Sequence, residues 1–502
     1  MLTNPMLLTD FYKTIHHMAY APKLETLVSY WTPRMSRIDG VDHVVMFGLQ
    51  GFIKEWLIDA FNREFFSRKW EDVSAEYERT IANTMSVQAS DVGFLKNLHD
   101  LGYLPIEIKA VAEGGRVPIK CPMIQIKNTV KGFGWLVNYL ETYMSCNIWM
   151  PMTTATIAYQ YRLICEYYYN LTVDENDLSM PRINSLCGDF SMRGMSSIAS
   201  ACAASAGHLT SFIGTATIPA ILWLERYYNC DSSKEIVGKG TPSTEHSVMS
   251  SYGRDGEFEC YRHLIEDVFP NGPLSIVSDT YDYWNVLCDI LPRLKDSIIN
   301  RDGKIVIRGD SGDPVDIICG DDNLNDDSPA HKGTVQLLWE LFGGKINNKG
   351  YKVLDSHIGA IYGDSITIDR AQQIWDRLEK KGFAISNVTL GIGSFTYQYN
   401  TRDTFGFALK ATHSVIDGKE NFIFKDPITD KIKGNNFKKS QKGMCYVYLD
   451  DNGEAAFTEE HTLKDLEDTK YADNLLKTVF KDSRMVKEYS LQEIRTNLWN
   501  NF

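Results

Sequence analysis

The sequence predicts an α/β protein in two parts: a parallel α/β barrel in the middle of the chain, and an α+β part assembled from both ends. Three observations carry this. From about Ile183, short apolar runs alternate with helix-like stretches, the rhythm of a parallel sheet. Each run ends in a cluster of Gly, Asp, Ser or Arg, which is where barrels of this type build their sites. After about residue 404 strand-like segments return without that rhythm, so the C-terminal part is expected to pack with the N-terminal part. The expected divisions are 1–180 and 404–502 for the discontinuous part and 181–403 for the barrel.

Taken in order, helical spacing marks Gly48 to Phe61, with Leu49, Phe52, Ile53, Trp56 and Leu57 on one face. The turn-rich Glu113-Gly114-Gly115 precedes strand alternation from Met123 to Val130. Thr142 to Tyr161 carries no charge and is long enough to span a bilayer. Its Asn147, Pro151, Gln160 and threonines predict instead a buried helix followed by a turn at Pro151. The barrel runs are Ile183–Leu186, Leu209–Ile213, Leu274–Val277, Ile305–Ile307, Ile358–Ile361 and Val388–Leu390. Helix-like stretches between and after them include Met195–Ala206, Thr217–Asn229, Tyr283–Leu291, Thr334–Phe342 and Ile368–Lys381. Glu420–Lys425 and Met444–Leu449 look like strands, with lysines between them.

Composition narrows the function. Against 52 Lys and Arg stand 65 Asp and Glu, a net charge of −13, which excludes a general binder of nucleic acid or anionic membrane. Any phosphate must therefore meet local cations. The 10 cysteines include no CxxC pair, so a zinc ribbon or thioredoxin-type site has no support. Most lie in apolar stretches, such as Leu163-Ile164-Cys165 and Val286-Leu287-Cys288, and are expected to be buried free thiols in a reducing compartment. The N-terminus has no basic, then apolar, leader pattern, and the chain is expected to be soluble and cytoplasmic.

The clusters themselves suggest a ligand. Gly188-Asp189-Phe190, Gly214-Thr215, Ser278-Asp279, Arg308-Gly309-Asp310-Ser311-Gly312, Gly363-Asp364-Ser365 and Gly391-Ile392-Gly393-Ser394 would expose backbone N–H groups near helix starts, a phosphate-binding device. The aspartates suit sugar hydroxyls or a magnesium ion bridging phosphates. A phosphosugar or nucleotide is the implied ligand class. Neither a Walker motif nor a Rossmann fingerprint occurs in a suitable context. His246 stands in the polar segment Thr241-Pro242-Ser243-Thr244-Glu245-His246-Ser247, where Glu245 could fix its tautomer and imidazole could exchange protons or phosphoryl groups.

With these clusters and with Leu7-Leu8-Thr9-Asp10-Phe11-Tyr12-Lys13, Phe47-Gly48-Leu49-Gln50, Asp189-Phe190-Ser191-Met192-Arg193-Gly194, Ser275-Ile276-Val277-Ser278-Asp279-Thr280-Tyr281-Asp282, Thr401-Arg402-Asp403 and Phe424-Lys425-Asp426-Pro427, the chain resembles the nicotinamide phosphoribosyltransferases almost end to end. The resemblance implies a homodimeric type II phosphoribosyltransferase with shared active sites. The implied reaction joins nicotinamide to 5-phosphoribosyl 1-pyrophosphate, requires Mg2+, and is coupled to ATP hydrolysis through a phosphohistidine at His246. Phe190 and the partner copy's matching Tyr12 would sandwich the pyridine ring. Arg193 and Arg308 match residues meeting phosphate and base, and Ser275 with Arg308 would read the carboxamide oxygen. Asp310, beside Gly309, matches a ribose contact, while Gly363, Asp364, Gly393, Ser394 and Arg402 match the cradle for ribose and 5′-phosphate. Asp279 would sit against His246, with magnesium near Asp279 and Asp310. Arg34, Lys425 and Lys438 resemble cations used for pyrophosphate or ATP.

Three departures from the resemblance bear on base selectivity, on the phosphate approach and on a tunnel beside the base, in that order. Ala216 replaces an aspartate in Gly214-Thr215-Ala216-Thr217, so Thr215, Thr217 or water is expected to accept from the carboxamide. Ser394 and Phe395 replace glycines of a phosphate loop, and Lys239-Gly240-Thr241-Pro242 replaces a Ser-Val-Pro run. Two rival readings follow: the same chemistry on nicotinate, and a non-catalytic dimeric signalling or binding protein of this fold.

Overall fold

In the computed structural model, residues 4–85, 91–174, 182–324, 326–428 and 439–500 are described. They divide into two compact units. The first comprises Met1–Thr156, Leu222–Asp231 and Asn400–Phe502; the second comprises Ile157–Ile221 and Ser232–Tyr399. These divisions fall at 156 and 399, where the sequence rhythm suggested 180 and 403. One helix, Glu141–Thr172, continues from the first unit into the second, so no change of periodicity marks the division.

That helix also passes straight through Pro151, where a turn was expected. Gly48, at φ +96°, leaves room for the pyrrolidine ring: a Cβ there would lie 2.4 Å from Pro151 Cγ. The Thr154 and Thr156 hydroxyls donate back to the Met150 and Met152 carbonyls. Close packing thus offsets the hydrogen bond that proline removes. No helix among the described residues is long and apolar enough to cross a membrane.

The first unit is built on a seven-stranded antiparallel sheet. Its order is Lys419–Phe422, Ala408–Ile416, Leu24–Thr32, Ile124–Asn128, Ile106–Ala110, Lys477–Lys481 and Arg484–Met485. Three N-terminal strands lie between two pairs of C-terminal strands in one sheet, so the expected return of the C-terminal part is found here. The Glu113-Gly114-Gly115 turn has a specific task. The buried Glu113 carboxylate accepts the Gly48 and Gln50 N–H groups and so caps the helix that begins at Leu49.

The second unit holds a six-stranded parallel sheet, ordered Gly214–Thr215, Cys187–Asp189, Val388–Ile392, Ile358–Tyr362, Ile305–Gly309 and Leu274–Val277. Isolated parallel bridges, Gly214 with Lys239 and Ser243 with Ser275, connect residues 239–243 to both edge strands and so curl the sheet into an irregular barrel. Four strands lie where apolar runs predicted them. Two do not. Ile183–Leu186 is largely a 3-10 turn, Arg182–Ser185, and Leu209–Ile213 follows the helix Ile198–His208; the strands come just after, at Cys187–Asp189 and Gly214–Thr215. Backbone proximity selects glycine there: a Cβ on Gly214 would lie 3.1 Å from Gly188 Cα. Eight cysteines are buried, but Cys146 and Cys288 are exposed, Cys288 against expectation.

Candidate active site

The second unit contains a cavity of about 1280 Å³ bounded by the parallel strands. The strand that ends in Arg308-Gly309-Asp310 shows how the sequence builds it. Strand alternation turns Val306, Arg308 and Asp310 into the cavity. Gly309 faces the other way, against Tyr283. Phe190, Arg193, Ala216, His246, Ser275, Gly363, Asp364, Gly393 and Ser394 line the same cavity, so the structure brings together most of the residues singled out in the sequence.

Charge is arranged around Asp310. Arg308 Nη2 lies 3.1 Å from Asp310 Oδ2, and the Asp310 N–H donates to Asp279 Oδ2 at 3.1 Å. Burial raises the Asp310 carboxyl above its ordinary pKa, Arg308 opposes that rise, and Asp279 adds to it. His246 opens a short helix, His246–Ser250, with its ring half exposed. Its Nε2 is 3.7 Å from Asp279 Oδ1, and its Nδ1 is 3.1 Å from the Thr280 hydroxyl. Glu245, expected to fix the tautomer, accepts from Ser247 instead. The ring nitrogen meets Thr280, whose distance in sequence hides it from local reading.

Four polar atoms here are buried and have no hydrogen-bond partner among the described residues: Ser275 Oγ, Asp279 Oδ1, Arg308 Nε and Asp310 Oδ1. Native interiors tolerate few such groups, and clusters of them mark ligand sites. The two carboxylate oxygens fit a magnesium ion, which usually takes one or two carboxylates and completes its shell with water and substrate phosphates. Among the described residues no group of three or more acidic, His or Cys ligands is present.

The ring platform is made by glycines. Phe190 lies against Gly391, where a Cβ would come within 2.5 Å of its ring, and against Gly188 and Gly363. Beneath it the buried Asp189 carboxylate accepts from Ser191 N–H and Oγ at 3.1 and 2.6 Å, and from Thr215 and Thr217 hydroxyls at 3.3 and 2.9 Å. The Asp189 carbonyl accepts the Ala216 N–H. Both threonines expected to serve the carboxamide are therefore buried and engaged with Asp189. Ser394 opens the helix Ser394–Tyr397, and Phe395 stacks on Tyr399 with ring centroids 5.6 Å apart.

Tyr12, Arg34, Arg402 and Lys425 belong to the first unit. Tyr12 is 53% exposed. Arg34 donates from Nε to the Gly406 carbonyl, and burial followed by Arg402 lowers its pKa. Arg402 pairs with Asp403 at 3.2 Å. Lys425 is exposed, and Lys438 lies outside the described residues. Sequence reading missed Lys410 and Glu141, which join Lys13 near these groups: Lys13 and Lys410 reach Glu141 at 2.6 and 3.4 Å. In the second unit it missed Arg182 and Lys304 on the cavity wall. The alternation Lys304, Val306, Arg308, Asp310 was the available signal for the latter.

The family model described as the nicotinate phosphoribosyltransferase (NAPRTase) family matches residues 186–484. A protein of Acinetobacter baylyi named nicotinamide phosphoribosyltransferase is 43% identical, covering 99% of this chain and 97% of its own length. One of the same name from Xanthomonas campestris pv. campestris is 32% identical over 99% of this chain and 98% of its own. Two solved structures share the fold at 14% identity and 99% coverage of this chain. Human nicotinic acid phosphoribosyltransferase is covered over 93% with a TM-score of 0.56, and the Pyrococcus furiosus nicotinate-nucleotide pyrophosphorylase over 95% with a TM-score of 0.57. With its barrel and much of its C-terminal part matched by the family model, and nearly its full length by these relatives, the chain belongs to the nicotinate phosphoribosyltransferase (NAPRTase) family.

Proposed function

We propose that this chain joins nicotinamide to 5-phosphoribosyl 1-pyrophosphate, giving nicotinamide mononucleotide and pyrophosphate, as a soluble cytoplasmic enzyme of NAD salvage. The observation that carries the reading is the set of buried polar atoms without a hydrogen-bond partner among the described residues: Ser275 Oγ, Arg308 Nε and Asp310 Oδ1 on residues that line the same cavity as Phe190, and Asp279 Oδ1 next to Asp310. The name of the relative at 43% identity supports the choice of base.

The chemistry asks little of a general base. The C1–O bond to pyrophosphate breaks with its electron pair on the leaving oxygen, and the unprotonated pyridine nitrogen donates its lone pair to C1. Catalysis then rests on positioning and charge. Ser275 and Arg308 hold the carboxamide oxygen, and Phe190 holds the ring flat. The ring becomes cationic as the bond forms, so an aromatic face favours it by about 0.5–2 kcal/mol over the neutral base. Asp310 and Asp364 take ribose hydroxyls, and the Gly393-Ser394 turn takes the 5′-phosphate. Asp279 and Asp310 are the residues that would hold Mg2+, whose bound charge neutralises pyrophosphate oxygens. ATP is the coupling substrate: the His246 ring nitrogen bonds to the γ-phosphorus, the bond to ADP breaks, and water later hydrolyses the phosphohistidine.

A homodimer with shared sites is part of this reading. Exposed apolar side chains at Phe11, Tyr12 and Met18 support burial against a second copy, which would bring Tyr12 to the ring. Nicotinate is the second reading, favoured by Ala216, which offers no carboxylate to repel it.

The test is product formation by the purified chain with each base. Nicotinamide should be used with the higher kcat/KM; no pyrophosphate release with either base would overturn the reading. His246→Ala should abolish acid-labile phosphate incorporation from ATP while leaving slow transfer. Phosphate still incorporated by that variant would remove His246 as the acceptor.

A further inference from the structure

The cavity does not end at the base. Its wall includes Arg308 and Asp310 at one end of the Ile305–Gly309 strand and Lys304 at the other. Lys304, Val306, Arg308 and Asp310 occupy alternate positions and all line it. Four residue steps of strand separate Lys304 from Arg308, about 13 Å. Pro273, Ser185 and Thr389, at or beside the starts of three other parallel strands, line it as well. It is therefore a bore along the strands, and at about 1280 Å³ it exceeds the roughly 300–1,000 Å³ typical of small-molecule sites.

The far end differs sharply in charge from the end that carries Asp310. Arg182 and Lys304 both line it. Arg182 donates from Nε to the Ser386 carbonyl and from Nη2 to the Thr389 hydroxyl, both neutral acceptors. Neither cation has a carboxylate within ion-pair distance among the described residues. The nearest acidic influence on Lys304 is Asp355, which is already bonded by the His357 ring and N–H at 2.7 and 2.9 Å. Burial and then Arg182 push the Lys304 ammonium down to about 8. Arg182 and Lys304 are half-buried, and two like charges held close in such a place without a counter-ion are costly; an anion between them lowers that cost.

We propose that Arg182 and Lys304 form a second site at the strand-start end of the bore that binds a small oxyanion. Arg182 supplies a planar fork and Lys304 a point charge, a pairing suited to phosphate or carboxylate. An oxyanion held there closes the bore behind Val306. The site is separate from the groups assigned to transfer and stands whether or not the substrate reading holds.

The test is calorimetric titration of the full chain with inorganic phosphate at constant ionic strength, comparing wild type with Lys304→Met and Arg182→Gln. One phosphate-binding event should weaken at least ten-fold in both variants, while events at the Arg308 end persist. A second titration with nicotinate shows whether a carboxylate competes for that event, which identifies the source of the oxyanion. Thermal unfolding without phosphate guards against misfolding: Lys304→Met should melt no lower than wild type, because it removes an unpaired, half-buried charge. Identical phosphate isotherms in all three proteins would overturn the proposal, as would a Lys304→Met protein that loses several degrees of Tm in phosphate-free buffer.

Discussion

Two layers of the same barrel treat buried polar groups in opposite ways. In the layer beneath the ring platform, Asp189 accepts four hydrogen bonds from Ser191, Thr215 and Thr217. In the layer above, the buried atoms Ser275 Oγ, Asp279 Oδ1, Arg308 Nε and Asp310 Oδ1 have no hydrogen-bond partner among the described residues. A satisfied network holds shape; an unsatisfied one is completed by a ligand. The contrast separates residues that position the site from residues that act in it, and it does so without reference to any relative.

The comparison is sharpened most by Arg308→Ala. That change removes the proposed carboxamide partner and leaves Asp310 without its cation, so kcat/KM should fall about 10²–10³-fold, or ~3–4 kcal/mol. Steady-state kinetics measures this, and near-wild-type activity would break the assignment of the upper layer. Asp189→Ala acts on the lower layer. It strands donors from three residues and should cost about 3 kcal/mol of stability, lowering Tm by roughly 6 °C or more, with activity lost as Phe190 and Ala216 shift. An unchanged melting curve would count against the network as scaffold.

Buried His208, whose Nδ1 meets the Tyr397 hydroxyl at 2.6 Å, gives the barrel a pH dependence. Burial holds His208 down to about 4, below the ordinary 6.5, so it is neutral in the fold and binds a proton on unfolding between those values. Stability is therefore full above pH 6.5 and declines as pH falls toward 4, by at most ~3 kcal/mol. His208→Gln should flatten that decline in denaturant titrations at pH 7 and pH 4.5; an unaltered slope would deny the histidine this role. The smallest effect concerns selectivity. Ala216→Asp restores an acceptor for the carboxamide and a charge against nicotinate, and should raise the nicotinamide-to-nicotinate efficiency ratio about ten-fold, or 1.4 kcal/mol. An unchanged ratio would mean that position 216 does not face the amide.

Much of this was readable from residue order, and the exceptions share a cause. Runs such as Ile305–Ile307 and Val388–Leu390 became strands because β-branched, buried runs have few alternatives. Cys187–Asp189 and Gly214–Thr215 were hidden because contact between backbones, not apolar side chains, decides them. Pro151 misled for the same reason, since its tolerance depends on Gly48, far away in sequence. At the site, the Arg308 to Asp310 cluster and the pairing of Asp279 with His246 were local enough, or familiar enough, to be read. The roles of Thr280 and Asp189 were not, because each depends on partners that only folding supplies.

Ser275→Ala tests the division between the layers most directly. Its hydroxyl is buried yet unpartnered, so its loss should leave the Tm of the ligand-free protein unchanged or slightly higher. The same variant should lose about ten-fold in kcat/KM for nicotinamide, the worth of roughly one hydrogen bond to the carboxamide. Both quantities come from one preparation, by thermal unfolding and by pyrophosphate release. A variant that melts several degrees lower while turning over nicotinamide at the wild-type rate would contradict the account.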